Sequence, residues 1–504
     1  MTQADSLVLL VHSLSKNEKR TFMTNRKSTD YAVLFKIIEE SGIISSHELK
    51  LLYGKKRKNS NFNVTASYLY KIILDSLLTF RENQDSYYKL FNKIMKARIL
   101  FEKSLFTDAL DMLDKIKKEA ARYENHLVSL YASRMELEYM LFLNFPDMSE
   151  TELIKKHFQI GELLKKIRII NEQSSLYELL KHRRIYKGNV YSQKQIDLLN
   201  DLVFAEMSFT TTSKDSFEAK KLHQLFQSNY LINIGDKKSA LQSFRELNRL
   251  FENNPQFWAN PPLYYVAVLE GVLDNLRSMK NYGEMPYFLE RLRKIQHPSA
   301  GFQLHVAAII FLYELYPLLD RGDFVAAKQL SEKHGNAVLS KSNQISILRQ
   351  TEISLCMALI YIGLIDYKKA QKMLINELVR HESIHTFPLY RTIRLINLII
   401  HYELDNMEYV RTESRSIKRE ISMQKKAYRS ERLIINLMNK NKYELQSSNS
   451  RAKLWLKIEP ELTDIRNQVF ENQILKSFDF TAWIESKVCR ISLSEVLQSR
   501  FFRQ

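Results

Sequence analysis

Glycine is so scarce and so widely spaced in this chain that most fold classes are excluded. No two of the 11 glycines lie closer than 12 positions, the nearest pairs being Gly42 with Gly54 and Gly271 with Gly283. Phosphate loops of the GxGxxG and GxxxxGK types need much closer glycines, so neither occurs. A β-sandwich or barrel needs a turn about every 8–12 residues, and 11 Gly and 9 Pro in 504 residues are too few for that. The sequence therefore predicts a mostly helical protein.

The rest of the composition indicates an ordered protein in a reducing compartment. The apolar fraction of 45% is ordinary for a folded chain. The two cysteines, Cys356 and Cys489, cannot build a disulfide framework or a cysteine-rich zinc site. No apolar run approaches the roughly 18 residues of a membrane-spanning helix, and the N-terminal run Leu7–Val11 is too short for a signal peptide. We therefore expect a cytoplasmic protein without a membrane segment.

A repeated frame organises the middle of the chain. It is clearest in residues 232–255, INIGDKKSALQSFRELNRLFENNP, where a turn glycine, Gly235, is followed five positions later by the small residue Ala240. The bulky residue Phe244 follows four positions after that, and Pro255 ends the unit. A small side chain lets two helices approach closely, and the next bulky residue fills the adjoining groove.

The same frame returns at a nearly constant interval. The intervals from Ala240 onward are 45, 42, 43 and 40 residues, and Ala109 lies 131 residues, or three intervals, before Ala240. The copies place these pairs at the small and bulky positions: Ala109 and Leu113, Met285 and Leu289, Ala327 (after Gly322), Ala370 and Leu374, and Val410 and Ser414. Weaker copies near Leu153 and Ile196 would fill the remaining gap. The sequence thus predicts about eight helical hairpins.

This frame resembles the tetratricopeptide repeat (TPR) family. The resemblance is in the turn glycine, the small residue of the second helix and the bulky residue after it, and it covers roughly residues 85–430. The interval is near 43 rather than 34 residues, and the Trp and Leu-Gly signature of the first helix is missing. The resemblance implies an all-α, right-handed α-superhelix whose concave face holds a peptide or partner protein.

The two ends of the chain differ from the repeats and are expected to cap them. We predict an N-terminal helical capping domain over 1–84, a TPR-like array over 85–445 and a C-terminal helical cap over 446–504. The first region contains a capping box from Ser15 to Glu18. In the last, Trp483 and Val488 would cover the open end of the array. The first region also resembles a group of bacterial TPR-like proteins, a likeness that implies no function.

One motif is typical of a metallopeptidase. HESIH, from His381 to His385, matches the zincin pattern HExxH, and Glu403 could be the third ligand. Thr386, Phe387 and Pro388 follow at once, whereas a zincin helix should continue past its second histidine. We therefore interpret the segment as a solvated helix end and expect no metal. No GxSxG elbow or Cys–His arrangement is present either, so we expect neither an enzyme nor a cofactor.

Positive charge is concentrated near the two ends. Residues 15–58 carry a net charge of +6 and residues 411–458 carry +9, out of +18 for the whole chain. The alternative function is therefore a nucleic-acid-associated regulator that uses this basic patch. The patch comprises Lys55, Lys56, Arg57, Lys58, Arg415, Lys418, Arg419, Lys425, Lys426 and Arg429. The helix expected from Val64 lacks base-reading residues at its start, which favours at most weak polyanion binding.

Polar residues on two predicted first helices are candidates for the partner site. Arg391, Arg394, Asn397 and His401 recur at steps of three, three and four, so they share one helix face, and an Arg pair can hold a carboxylate. Asn229 and Asn233 lie one turn apart on an earlier first helix. We predict a non-enzymatic helical-repeat scaffold that binds a protein or peptide in its concave groove, partly through these residues.

Overall fold

The computed structural model describes residues 2–502 with internal gaps. The gaps are 24–28, 43–44, 58–59, 82–85, 188–192, 211–215, 259–261, 298, 341–343, 381–387, 425–427, 439–446 and 469–470. Over the described residues the chain is all-α, as predicted, and contains no strand.

Five helices precede the repeats: α1 Gln3–Ser13, α2 Lys16–Met23, α3 Asp30–Ser41, α4 Ser46–Lys56 and α5 Phe62–Arg81. They pack around a core of their own, which includes Leu7, Phe35 and Leu69. The predicted capping box is confirmed, because the Ser15 N–H donates to Glu18 at 2.7 Å and the Glu18 N–H donates to the Ser15 hydroxyl at 3.3 Å.

Helices of the predicted repeat region follow. They are α6 Ser86–Glu102, α7 Phe106–Arg122, α8 His126–Phe142, α9 Glu150–Lys187, α10 Gln193–Thr210, α11 Phe217–Ile234, α12 Lys237–Glu252, α13 Leu263–Ser278, α14 Met285–Lys294, α15 Ala300–Arg321, α16 Phe324–Leu330, α17 Asn336–Leu339, α18 Ile347–Gly363, α19 Tyr367–Arg380, α20 Pro388–Glu403 and α21 Met407–Gln424. Short 3-10 turns at Pro255–Phe257 and Tyr282–Glu284 and a π-helical turn at Ser331–Gly335 interrupt them. The last helices are α22 Arg429–Met438, α23 Ser448–Asn467, α24 Asn472–Leu475, α25 Phe480–Cys489 and α26 Leu493–Phe502.

Six hairpins share one turn geometry. Their first and second helices are α6 and α7, α11 and α12, α13 and α14, α15 and α16, α18 and α19, and α20 and α21. The first helix ends in a residue of positive φ, between 58° and 85°, namely Ser104, Gly235, Lys280, Gly322, Ile365 and Asp405. The next N–H donates back to the carbonyl five positions earlier at 2.9–3.0 Å. This is the six-to-one bond of a Schellman cap, and each positive-φ residue precedes the predicted small position by five residues.

The small residues of the repeat frame are buried in these hairpins. Ala109, Ala240, Ala327 and Ala370 are all 0% exposed. The degenerate copies place Met285 and Val410 in the same buried position, and the residues four positions further on are buried as well. The frame read from the sequence therefore describes the packing of all six hairpins.

The count of eight hairpins is not confirmed around the predicted copies near Leu153 and Ile196, where one long helix precedes α10. A single helix, α9, runs through 38 residues, about 57 Å, and contacts α8, α10 and α11. The only glycine in it, Gly161, lies in open space, and no residue of positive φ interrupts the helix. Because α9 contains no αL turn, the chain does not reverse direction within it.

Two glycines inside first helices accept aromatic rings from the preceding second helix. A Cβ on Gly271 would lie 2.3 Å from the Phe244 ring, and one on Gly363 would lie 2.1 Å from the Phe324 ring. Real atoms do not approach so closely, so only glycine lets these rings lie against the helix backbone. This explains two of the few glycines that the chain contains.

The C-terminal helices fold back along the hairpins. Trp483 and Val488 of α25 are each 1% exposed, and the Trp483 indole lies edge-on against Tyr402 of the last hairpin. Helix α26 reaches further back to α15, where the Ser494 hydroxyl donates to the Gly322 carbonyl at 2.6 Å. The segment thus contacts more than the end of the array.

Among the described helices, α15 alone has the length and composition of a membrane span. Its apolar window has a mean hydropathy of 1.5, and 56% of that window is buried inside the protein. One such helix is weak evidence for a membrane segment, because α15 packs against neighbouring helices on more than one side. A helix that is apolar around most of its circumference is typical of a protein core.

Candidate functional site

A cleft of about 1470 Å³ lies between the first helices and the returning C-terminal segment. Helices α13, α15, α18 and α20 line one side, and α23, α24 and α26 line the other. The last turns of α9 also reach it. Small-molecule sites usually measure about 300–1,000 Å³, so this cleft has room for a larger ligand.

One first helix, α13, already binds a residue of the C-terminal segment in this cleft. The Lys476 ammonium donates to the Asp274 carboxylate at 2.6 Å and to the Asp274 carbonyl at 3.2 Å. The Arg277 guanidinium donates to the Lys476 main-chain carbonyl at 2.6 Å. One helix face therefore recognises both the side chain and the backbone of a residue about 200 positions away.

Asp320 and two tyrosines hold Arg277 in place. Asp320 accepts two hydrogen bonds of 2.9 Å from Arg277, and the Tyr282 hydroxyl donates to Asp320 at 3.0 Å. The guanidinium carbon lies 3.7 Å from the centre of the Tyr316 ring. Burial alone would lower the pKa of Arg277, but the Asp320 charge raises it above its ordinary value. The guanidinium is thus a fixed, permanently charged donor.

Neighbouring positive charges keep the Asp274 carboxyl group ionised. Burial alone would raise its pKa, but the Lys476 ammonium and the nearby Arg184 lower the pKa of Asp274 to about 2. The carboxylate is consequently charged at neutral pH. Its ionised form makes the contact with Lys476 a charge-assisted hydrogen bond, the stronger kind.

A second buried ion cluster lies further along the cleft. Arg349 donates to Glu270 at 2.5 Å and to Glu352 at 2.8 Å. Burial raises the pKa of Glu352 above its ordinary value, although Arg349 opposes that effect. Cys356 also lines the cleft, and burial raises the pKa of its thiol to about 12. The thiolate, which is the reactive form, is therefore rare at neutral pH. This part of the cleft is accordingly better suited to binding a ligand than to nucleophilic chemistry.

The predicted stripe on α20 is engaged within the protein. Arg394 pairs with two carboxylates of α21, at 2.7 and 2.5 Å, and Arg391 pairs with Glu431. Asn397 donates to a tyrosine hydroxyl at 2.9 Å, and His401 lies between the amides of two neighbouring residues at 3.1 Å. The structure thus uses these groups to hold α20 against α21 and α22, and of the four only Arg391 lines the cleft.

The two predicted asparagines are buried and bonded to their own helix. Asn229 and Asn233 are 6% and 3% exposed. Each side-chain amide donates to the carbonyl four positions earlier, at 2.8 and 3.0 Å, and Asn229 also accepts from Arg184 at 3.2 Å. Neither lines the cleft.

The N-terminal part of the basic patch is partly neutralised. Lys55 is exposed, whereas Lys56 and Arg57 have carboxylates at 3.7 and 3.3 Å. Lys58 lies outside the described residues. Exposed pairs of this kind leave the surface accessible but reduce its net positive charge.

The C-terminal part of the basic patch lies mostly on α21. Arg415, Lys418 and Arg419 are exposed, whereas Arg429 forms an ion pair with a carboxylate of α23. Residues 425–427 lie outside the described part of the chain, so Lys425 and Lys426 stay predictions.

The HESIH segment also lies outside the described residues. Its candidate third ligand, Glu403, is described and has protein partners. It pairs with Lys487 at 2.6 Å and accepts a hydrogen bond from the Trp483 indole N–H at 2.9 Å. Glu403 therefore helps to hold α25 against α20.

Sequence reasoning missed the residues that bind the C-terminal segment. A local signal for them exists: Glu270, Asp274 and Arg277 are spaced by four and three in an otherwise apolar helix, and so share one face. Arg349, Glu352 and Cys356 repeat the pattern on α18. Charges that interrupt an apolar helix at helical spacing indicate a polar interior contact.

No protein-family model matches the chain, and no curated protein matches it.

Proposed function

We propose that this protein is a non-enzymatic helical-repeat scaffold that binds a peptide segment of a partner protein in its interior cleft. The observation that carries the proposal is the contact of Asp274 and Arg277 with Lys476. It shows a first-helix face with a fixed anion for a side chain and a fixed donor for a main-chain carbonyl. Peptide recognition commonly combines main-chain hydrogen bonds with sites for individual side chains.

The repeated turn supports a TPR-like right-handed superhelix as the architecture. Six hairpins share the αL turn, and four of them place a buried alanine at the small position. Such similar units would have a similar rotation relative to one another, which is how a solenoid with a concave face arises. The cleft would then be the part of that concave face that the C-terminal segment leaves open. Two free cysteines, Cys356 and Cys489, are in keeping with a cytoplasmic location.

Site-specific photo-crosslinking in the native host tests this proposal. A benzophenone amino acid at Tyr390, which lines the cleft, should crosslink a discrete polypeptide. The matched control is Tyr287, a 52% exposed tyrosine of α14 that does not line the cleft. Mass spectrometry of the adducts identifies the partner.

The proposal states that the partner binds in the cleft, so the comparison of Tyr390 with Tyr287 tests it. Equal capture of the same polypeptide from Tyr390 and Tyr287, or no polypeptide adduct from Tyr390, would contradict binding in the cleft. An adduct from Tyr390 alone supports it.

A further inference from the structure

The groups of α13 that bind Lys476 are held in place by contacts that do not involve Lys476. Arg277 donates two hydrogen bonds of 2.9 Å to Asp320, and the Tyr313 hydroxyl donates to the Asp274 carboxylate at 3.3 Å. Asp320 and Tyr313 both belong to the neighbouring first helix, α15. The contacts between α13 and α15 therefore keep this lysine site in shape when Lys476 leaves it.

The lysine site is also open to solvent. The side chains of Lys476 and Asp274 are 24% and 29% exposed, and both residues line the cleft. The Lys476 ammonium donates to the carboxylate and to the main-chain carbonyl of Asp274. A compact ammonium with three rotatable donors can reach both acceptors, whereas the planar fork of an arginine is shaped for two acceptors side by side. A second lysine that enters through the cleft therefore has the right chemistry to compete for Asp274.

The segment that carries Lys476 is a short connection between α23 and α25. Within it, α24 has only four residues, Asn472–Leu475, a length at which a helix has little stability of its own. Ile474 and Phe478, two positions before and after Lys476, are 4% and 8% exposed and pack in the core. The segment thus presents a lysine between two buried apolar side chains, a pattern that a separate peptide can reproduce.

We propose that the partner peptide presents a lysine with an apolar residue two positions to either side, and that it displaces Lys476 from Asp274 and Arg277. This inference rests on the function proposed above and specifies the chemistry of the ligand. The C-terminal segment is then an internal competitor. Because it belongs to the same chain, its effective concentration is high, and the apparent affinity of a partner is reduced by the fraction of molecules in which the site is occupied.

The test is fluorescence anisotropy of the full chain with a labelled peptide that copies residues 472–480, NQILKSFDF. In the wild-type chain Lys476 competes, so we expect weak binding. Lys476→Gln removes the charged donor of the competitor and should raise the affinity for the peptide at least about tenfold, the effect of losing one charge-assisted hydrogen bond. A peptide with glutamine in place of its lysine should not show this gain, because it lacks the cation that Asp274 binds.

Lys487 provides the matched control. It also belongs to the C-terminal helices, is 30% exposed, pairs with Glu403 at 2.6 Å and does not line the cleft. Lys487→Gln therefore loses an ion pair of the same kind without vacating the lysine site, and should bind the peptide as the wild-type chain does. Circular dichroism verifies that each variant is folded. An equal gain in both variants, equal binding of the two peptides by Lys476→Gln, or no binding by that variant would overturn the proposal.

Hydrogen exchange of the wild-type chain tests the displacement without any substitution. An excess of the lysine peptide should speed the exchange of the amides of residues 474–478, and the glutamine peptide should not. Unchanged exchange with the lysine peptide would overturn the displacement. The crosslink from Tyr390 tests the proposed function separately. An adduct from Tyr390 together with a failed peptide exchange rejects the lysine ligand and retains binding in the cleft, whereas the absence of that adduct contradicts the proposed function itself.

Discussion

Replacing Gly322 by alanine tests whether the C-terminal helix is docked as the structure shows. Gly322 ends α15 with φ 74° and ψ 19°, in the left-handed region. A Cβ there would lie 2.9 Å from the Ser494 carbonyl oxygen and 2.9 Å from the Leu497 Cβ, both in α26. The Ser494 atom belongs to the backbone, so no side-chain rotation can relieve the clash, and α26 must shift.

Two costs add in this variant. An L-residue in the left-handed region costs about 1–2 kcal/mol, and overpacking at a close contact costs about 1–3 kcal/mol. We therefore expect Gly322→Ala to lower the free energy of unfolding by about 2–5 kcal/mol. The backbone part can be measured at the equivalent turn residue Ile365, which has φ 62° and is 70% exposed. Ile365→Gly should gain about 1–2 kcal/mol because it loses little packing.

Urea unfolding and hydrogen exchange measure the two parts. Gly322→Ala should lose more stability than Ile365→Gly gains, and the amides of α26 should exchange faster while those of α7, in a distant hairpin, do not change. The docking geometry is refuted if the loss equals the Ile365→Gly gain and the exchange of α26 is unaltered.

Three further predictions concern packing, pH and salt. In thermal unfolding, Gly271→Ala should destabilise the protein by about 1–3 kcal/mol because its Cβ would meet the Phe244 ring, and Phe244→Leu in the double variant should relieve this loss. Gly161 lies in open space, so Gly161→Ala should stabilise the protein by up to about 1 kcal/mol. Stabilisation by both glycine substitutions would contradict the packing. Burial alone would raise the pKa of Asp274, but the Lys476 ammonium lowers it to about 2 from 3.8. The ionised carboxylate therefore contributes about 2 kcal/mol to the free energy of unfolding above pH 4, and this contribution is lost as the pH falls through 2. Asp274→Asn should therefore cost that amount in urea unfolding at pH 7 and less near pH 3, and an equal cost at both would argue against the ion pair. Through its basic patch the protein should bind random duplex DNA weakly at about 50 mM salt and almost not at all at about 200 mM in fluorescence anisotropy, whereas tight binding at the higher salt would favour the regulator.

The repeat frame could be predicted because its signals are local. An alanine five positions after an αL turn is visible in one copy and recurs in three others, including the copy in which Ile365 replaces glycine. Helix α9 could not be predicted in the same way. A single turn within residues 150–187 would divide α9 into two helices and complete two hairpins. The only glycine in that range does not form such a turn.

The candidate site was harder because its two halves are far apart in the sequence. The helical spacing of Asp274 and Arg277 marks a polar face, but nothing near them points to Lys476. The stripe of Arg391 and Arg394 has the same spacing and proved to hold its own neighbours. Spacing identifies a shared helix face, whereas the element that covers that face is a tertiary outcome.

The return of the C-terminal segment to α13 imposes an order on biosynthesis. Lys476 follows Asp274 by 202 residues, which at about 5–20 residues per second corresponds to a delay of about 10–40 s on the ribosome. During that interval the hairpins can form, with Arg277 already paired to Asp320, while the contacts of Asp274 and Arg277 with Lys476 are still missing because Lys476 has not been made. The nascent array therefore passes through an open state whose charged interior is accessible to chaperones, and to any competing ligand, before the chain closes it.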